Sequence, residues 1–140
     1  MNNFKGISRT QVLIYAKFVD LTDIQYRHTP MKRIHIKDFV KGWLIGNFEP
    51  TLLKTEDIEV ALQSYNAGEE EPQHYHKVGT EISLLISGSA MFNNDVLEAG
   101  EGVVIEPKRS NTFKAITDCK VLVIKYPSNT KDKYHGEFYD

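Results

Sequence analysis

His74 and His76 stand two residues apart, and Glu81 follows them after a short bend, Val78-Gly79-Thr80. On an extended strand, residues at i and i+2 share a face, so both imidazoles project the same way. If Glu81 opens the neighbouring strand, its carboxylate comes within reach of both rings. Two imidazoles and a carboxylate on one face form a facial triad for one divalent ion (Fe, Mn, Ni or Zn), with coordination positions left open for water or substrate. A single His on a strand face is usually a satisfied polar residue. The pair with a spaced Glu is a far less common accident.

The elements that must hold such a triad are short strands. After residue 43 no stretch keeps a helical period, and strand candidates recur every 8–12 residues or so between turn signals, as in a sandwich or small barrel. Trp43–Phe48, Asp57–Asn66, Gln73–His76, Glu81–Ile86, Gly88–Asn93, Val103–Ile105, Thr112–Ile116 and Lys120–Tyr126 read as strands, and Ala67–Pro72 as a loop. Asn93-Asn94-Asp95 is a hairpin turn signal. Helix is confined to the first 42 residues, where Ile36–Trp43 can form a short turn.

The stretch from Gly68 to Gly88 has Gly, five residues, His74, one, His76, four, Glu81, six, Gly88. This spacing resembles the first motif of the cupins, with all five fixed positions matched; a chance match in a chain of this length is roughly one in a hundred thousand at average residue usage. The resemblance covers residues 57–126 and implies an all-β, double-stranded β-helix jelly roll with the site inside the barrel. The second motif is only partly kept. Gly100 and the apolar Val103–Ile105 match, Pro107 falls one residue late, Lys108 stands where Gly is usual, and Asn111 stands where the family has a third ligand His.

Asn is a poor transition-metal ligand. Three readings of Asn111 follow: a fourth position beside the metal that hydrogen-bonds water or substrate; replacement of the third ligand by His35, His135 or Glu106; or a pocket that works without metal. Alternation along the strands puts Ser83, Leu85 and Phe113 on the ligand face, together with either Gln63 and Tyr65 or Leu62 and Ser64. Tyr75, between the two His, points to the opposite face. Trp43 and Phe48 are either core aromatics or a lid on one barrel end. Glu106, a Tyr or a metal-bound hydroxide are the candidates for a proton carrier, and no catalytic residue is singled out.

A cupin fold does not fix a reaction. The first reading is Lewis-acid isomerase, epimerase or lyase chemistry on a small oxygen-rich molecule, a sugar or keto acid. The second is a non-enzymatic module that binds a small molecule or sugar. The third is an Fe(II)-dependent dioxygenase.

The composition fits a soluble globular chain: 140 residues, 26% charged, 41% hydrophobic, net charge −2. That balance gives no pull toward nucleic acid or an anionic membrane. One cysteine, Cys119, rules out an intrachain disulfide and suits a reducing compartment. Val12–Val19 is short, contains Lys17 and lacks a cleavage site, so it reads as neither a leader nor a membrane span, and a cytoplasmic location is expected. The expected organisation is an N-terminal arm or swapped strand at 1–30, a barrel at 31–126 and a tail at 127–140 packed on the barrel. Gln11–Val19 could add to a partner's sheet edge, which predicts a homodimer.

Overall fold

The structure, a computed structural model, describes residues 31–139. By its internal contacts the chain divides at Arg33/Ile34, and every strand described here belongs to the second unit, Ile34–Asp140. The expected arm at 1–30 lies outside the described residues.

Two short 3₁₀ turns, Ile36–Asp38 and Val40–Gly42, lead into ten strands. These are β1 (Trp43–Ile45), β2 (Glu59–Tyr65), β3 (Glu70–Tyr75), β4 (Thr80–Ser87), β5 (Ser89–Phe92), β6 (Asp95–Glu98), β7 (Gly102–Ile105), β8 (Asn111–Ala115), β9 (Cys119–Tyr126) and β10 (Tyr134–His135). They form two five-stranded sheets, β1-β2-β9-β4-β7 and β10-β3-β8-β5-β6, with every strand pair antiparallel. This is the all-β jelly roll that the sequence implies.

The inner faces meet in a core of Leu85, Phe92, Phe113, Val121 and Val123, with Ala61, Ala90, Ala115 and Cys119 filling the narrow places. These positions alternate along their strands, as a pleated sheet with one buried face requires. Asn93 turns the β5–β6 hairpin with φ of +50°, a left-handed conformation Asn tolerates.

Several expectations shift. β3 starts at Glu70, inside the segment that reads as a loop, because Glu70 and Glu71 pair with Lys114 and Phe113 of β8. An irregularity between Glu71 and His74 accommodates Pro72, which cannot donate to the ladder. β6 and β10 are strands that the sequence pattern does not signal, and β1 is shorter than Trp43–Phe48. The segment after β9 is well tied down. β10 pairs with β3, Tyr134 stacks on Tyr75 at 5.4 Å, and Phe138 meets Tyr75 edge-on at 5.3 Å.

Candidate metal centre

His74 lies near the end of β3 and His76 just past it. Glu81 is the second residue of β4. Their candidate donor atoms lie within 4.8 Å of one another, and both histidines are buried. It is the turn between β3 and β4 that brings the carboxylate back over the rings.

That turn is closed by a residue far away in sequence. The buried Asp132 carboxylate accepts the backbone N–H groups of Lys77, Val78 and Gly79 at 2.8, 3.0 and 2.7 Å. The Asp132 backbone carbonyl also accepts the Nδ1–H of His76. Burial works to raise the pKa of Asp132, but the bonds from Gly79, Lys77 and Val78 outweigh it and hold the carboxyl below the usual range. No motif in the sequence marks Asp132.

His74 donates its own Nδ1–H to the Pro72 carbonyl at 3.0 Å. A carbonyl can only accept, so both rings carry a proton on Nδ1 and turn Nε2 toward the site. Backbone carbonyls that fix a tautomer in this way are the usual outer partners of metal-binding imidazoles. Burial lowers the His74 pKa, opposed by the Pro72 bond, which keeps the ring neutral and able to ligate at neutral pH.

His76 Nε2 stands 3.0 Å from Glu81 Oε2. A lone pair facing a carboxylate oxygen at that distance is repulsive unless a cation lies between or beside them, either a second proton on the imidazole or a metal ion. Two donors each about 2.1 Å from one ion are separated by about 3 Å, so the spacing fits a shared metal. Burial raises the Glu81 pKa, but the bond to His76 and its charge, the Ser83 hydroxyl and His74 together bring it below the usual value. Ser83 Oγ donates to Glu81 Oε1 at 3.0 Å and orients the carboxylate. The donor set therefore fits a divalent ion: two imidazole nitrogens and one ionised oxygen.

A cavity of about 60 Å³ is lined by His74 and Glu81. Asn111, directly across from His74 in the β3–β8 register, lines it, as do Ser83, Phe113, Gln63 and Tyr65. Of the two pairs open for β2, Gln63 and Tyr65 are thus the inward one. Trp43 lines the cavity and packs edge-on against Phe48 at 6.1 Å, whereas Phe48 itself is not at the wall. Two other expectations need correction. Leu85 is fully buried in the apolar core beyond the cavity. Glu106 is exposed and lines a different depression, beside Arg109. Neither alternative histidine joins the cluster. His35 caps the first 3₁₀ turn, accepting the Lys37 N–H, and His135 on β10 is exposed.

At the mouth, Tyr65 donates to Gln63 Oε1 at 2.7 Å and lies 3.4 Å from Glu71 Oε1, while Lys133 reaches Glu71 at 3.5 Å. Burial, with the charge and hydrogen bond of Glu71, pushes the Tyr65 pKa far up, so this phenol is a donor and never a base at neutral pH. Sequence pattern does not single out Glu71 or Lys133, since Glu71 sits in an acidic run that looks like solvated loop. Level with Glu81 on the same inner face, Lys125 lies between Glu59 and Glu81 in the cross-strand register. It forms a buried ion pair with Glu59 at 2.8 Å, and Ser128 donates to the other Glu59 oxygen at 3.0 Å.

No protein-family model matches this chain, and no curated protein does. Solved structures do. A Klebsiella pneumoniae protein described as having a double-stranded β-helix domain aligns over 78% of this chain and 99% of its own, with TM-score 0.59 and 19% identity. An RmlC-like cupin from Shewanella frigidimarina aligns over 54% of this chain and 70% of its own, with TM-score 0.51 and 18% identity. A Silicibacter pomeroyi protein described as a sugar phosphate isomerase from a cupin superfamily aligns over 57% of each chain, with TM-score 0.52 and 17% identity. At such identities the likeness is one of fold. Among the described residues, no helix is long and apolar enough to cross a membrane.

Proposed function

We propose that this chain, whose fold is the cupin double-stranded β-helix, binds one divalent metal through His74, His76 and Glu81. In this reading it acts on a small oxygen-rich molecule, a sugar or keto acid, by isomerase, epimerase or lyase-type chemistry, and works as a homodimer in the cytoplasm. The observation that carries the metal reading is His76 Nε2 facing Glu81 at 3.0 Å, with Nδ1 of both rings committed to backbone carbonyls. A bound metal would supply Lewis-acid polarisation of a carbonyl and its neighbouring hydroxyl.

The chain's own residues would do the rest. Asn111 would donate its amide N–H to a ligand oxygen in the cavity, and Tyr65, which stays protonated, would turn its single O–H from Gln63 to the ligand. Glu71, which lines the cavity and contacts both Tyr65 and Lys133, would carry a proton between ligand and solvent, a role better suited to it than to Glu106, which does not line the cavity. A cavity of about 60 Å³ has space for one end of such a molecule, with the remainder lying toward Glu71 and Lys133. The solved Silicibacter pomeroyi structure described as a sugar phosphate isomerase supports looking first among sugar derivatives.

The second reading, a binding module without catalysis, is favoured by Asn111, which replaces the third imidazole with a neutral hydrogen-bonding group. One experiment separates the two. The full chain, purified without chelator, and His74→Ala/His76→Ala are compared by elemental analysis and thermal unfolding after loading with Fe(II), Mn, Ni or Zn. Near-stoichiometric metal and a chelator-reversible rise in Tm, both absent from the variant, are expected. Metal-loaded protein that turns over sugar phosphates or keto acids identifies the enzyme. Loaded protein that only binds them identifies the module, and no metal uptake at all would sink the metal reading.

A further inference from the structure

Between β2 and β3 the barrel is flanked only by short edge strands. β1 pairs with β2 at Val60 and Ala61, and β10 pairs with β3 at His74 and Tyr75. Residues 62–65 and 70–71 are therefore each left with a strand on one side only. A cleft of about 500 Å³ lies in this gap, with residues of the two 3₁₀ turns on its other wall. Its volume is in the range of small-molecule pockets, whereas the metal cavity of about 60 Å³ takes only one end of a ligand. Gln63, Tyr65 and Glu71 line both spaces. They are the trio gathered around the Tyr65 hydroxyl, 2.7 Å from Gln63 and 3.4 Å from Glu71, so one hydrogen-bonded layer of side chains stands between cleft and cavity.

The charges of the cleft are unequally committed. Glu70 is paired with Lys114 at 2.7 Å and Glu71 with Lys133 at 3.5 Å. Glu69 accepts the backbone and side-chain N–H groups of Asn66 at 2.7 and 3.3 Å. Lys37 and Lys41, on the facing wall, have no ion-pair partner among the described residues. Asp38, the acid beside Lys37 in sequence, does not line the cleft and accepts the His35 N–H. The turn that carries Lys41 is firmly seated. Lys41 has a left-handed φ of +49°, uncommon for a residue with a side chain, and the buried Gly42 follows at +77°. A Cβ at Gly42 would strike the Leu62 carbonyl oxygen, so only glycine lets the turn lie this close to β2. Strain of this kind persists where the surroundings fix the backbone, and it collects at ligand sites.

We propose that the cleft binds a phosphate group, the charged end of the small molecule whose other end lies in the metal cavity. The placing of that other end rests on the function proposed above; the anion site itself does not. Two ammonium groups not spent on internal carboxylates match a dianion better than the single charge of a carboxylate. As flexible point charges they suit the oxygens of a phosphate monoester. Among the ligands open to the metal site, the cleft therefore selects sugar phosphates over keto acids.

The test titrates the chelator-treated full chain with inorganic phosphate and, at equal ionic strength, with acetate, followed by backbone amide NMR at neutral pH. Working without metal keeps the result independent of the metal reading, which elemental analysis decides. Saturable phosphate shifts at residues 37–42 and 62–65 are expected. The dissociation constant should be on the order of 1 mM, the strength of two charge-assisted contacts partly screened by solvent. Acetate should bind about 10-fold more weakly. Lys37→Gln/Lys41→Asn should weaken phosphate binding by about 10-fold or more, Asn being the replacement that tolerates the left-handed position. Lys54→Gln, outside the cleft, should change nothing. Shifts absent from both segments, or an affinity unchanged by the double variant, would overturn the anion site. Acetate binding as tightly as phosphate would overturn the choice of phosphate. The map of wild-type shifts decides the matter even should the double variant fold poorly.

Discussion

Replacing Asp132 by alanine removes one carboxylate and leaves three backbone N–H groups, at Lys77, Val78 and Gly79, without their acceptor. The three are not equivalent. Lys77 and Val78 are exposed residues whose amides can be rehydrated, so each loses only the net value of its bond, about 1 kcal/mol. Gly79 is buried, and its N–H is left unpaired at about 1–3 kcal/mol. The expected total is about 3–5 kcal/mol, read as a shift in the urea midpoint at unchanged slope. Asp132→Asn, which keeps one acceptor oxygen, should lose roughly half of that.

The pH dependence has a definite sign. The Asp132 pKa is held below its unfolded value, so its stabilisation is present above the ordinary Asp range and fades as pH falls through the lowered folded pKa. Asp132→Ala should lack that part of the acid transition. Metal affinity should fall as well, by about 10–100-fold, because the side-chain clamp holds in place the backbone carbonyl that orients His76. A zinc competition assay with a chromophoric chelator reads this out. Asp118→Ala serves as control, since Asp118 caps a different turn by accepting the Ala67 N–H and does not touch the histidines. If Asp132→Ala unfolds within about 0.5 kcal/mol of the wild type, the size of a neutral surface change, the clamp reasoning is wrong. If it binds zinc as tightly as the wild type does, the coupling of clamp to ligands is wrong.

Two more outcomes rest on buried polar chemistry. Lys125→Met strands the Glu59 carboxylate in the barrel with only Ser128 as partner and should cost about 3–5 kcal/mol. Combining it with Glu59→Gln should recover about 2 kcal/mol in a double-mutant cycle by denaturant unfolding; strict additivity would mean the pair does not interact. Cys119 is buried, and burial together with the Asp118 and Glu69 charges raises its pKa. It should therefore resist a disulfide reagent at neutral pH in the native state and react fully in urea, while rapid native labelling would contradict its placement in the core.

The readable part of this molecule is the part dictated by local pattern. The apolar alternation of β2, β8 and β9, the Asn turn between β5 and β6, and the spacing of His74, His76 and Glu81 follow from periods of two and from turn chemistry, which a single sequence displays. What stays hidden is non-local. Glu70-Glu71-Pro72 has loop composition and becomes strand only because β8 supplies Lys114 and Phe113 opposite it. Asp132 looks like any polar residue of a tail until the β3–β4 turn presents three N–H groups to it from more than fifty residues away. Alternation puts Leu85 on the ligand face, but it cannot say how deep along the barrel that position lies. Glu106 borders the second motif in sequence, yet the turn after β7 carries it to the outside.

The interior is divided along the barrel axis, and that division places the chemistry. Toward Gly88 the inner faces supply Leu85, Ala90, Ala115 and Cys119, small and apolar groups that close the barrel. Toward Glu81 the same strands supply Ser83, Glu81, Lys125, Glu59, His74 and Asn111, all with inward side chains. Burying so many polar groups is unfavourable unless each is paired, and among the described residues no fully buried side-chain nitrogen or oxygen lacks a partner. β4, β8 and β9 are thus apolar at one end and polar at the other, and the closed end anchors what the open end presents. Glu81 and Asn111 sit on strands fixed by that apolar plug, and His74 on β3 is held opposite Asn111 in the ladder, so their geometry is set by packing and pairing. His76, just beyond β3, lacks such support and is held by the bond to Asp132. The site therefore has three members positioned by the barrel strands and one positioned by a clamp, and a change in the clamp should reach His76 first.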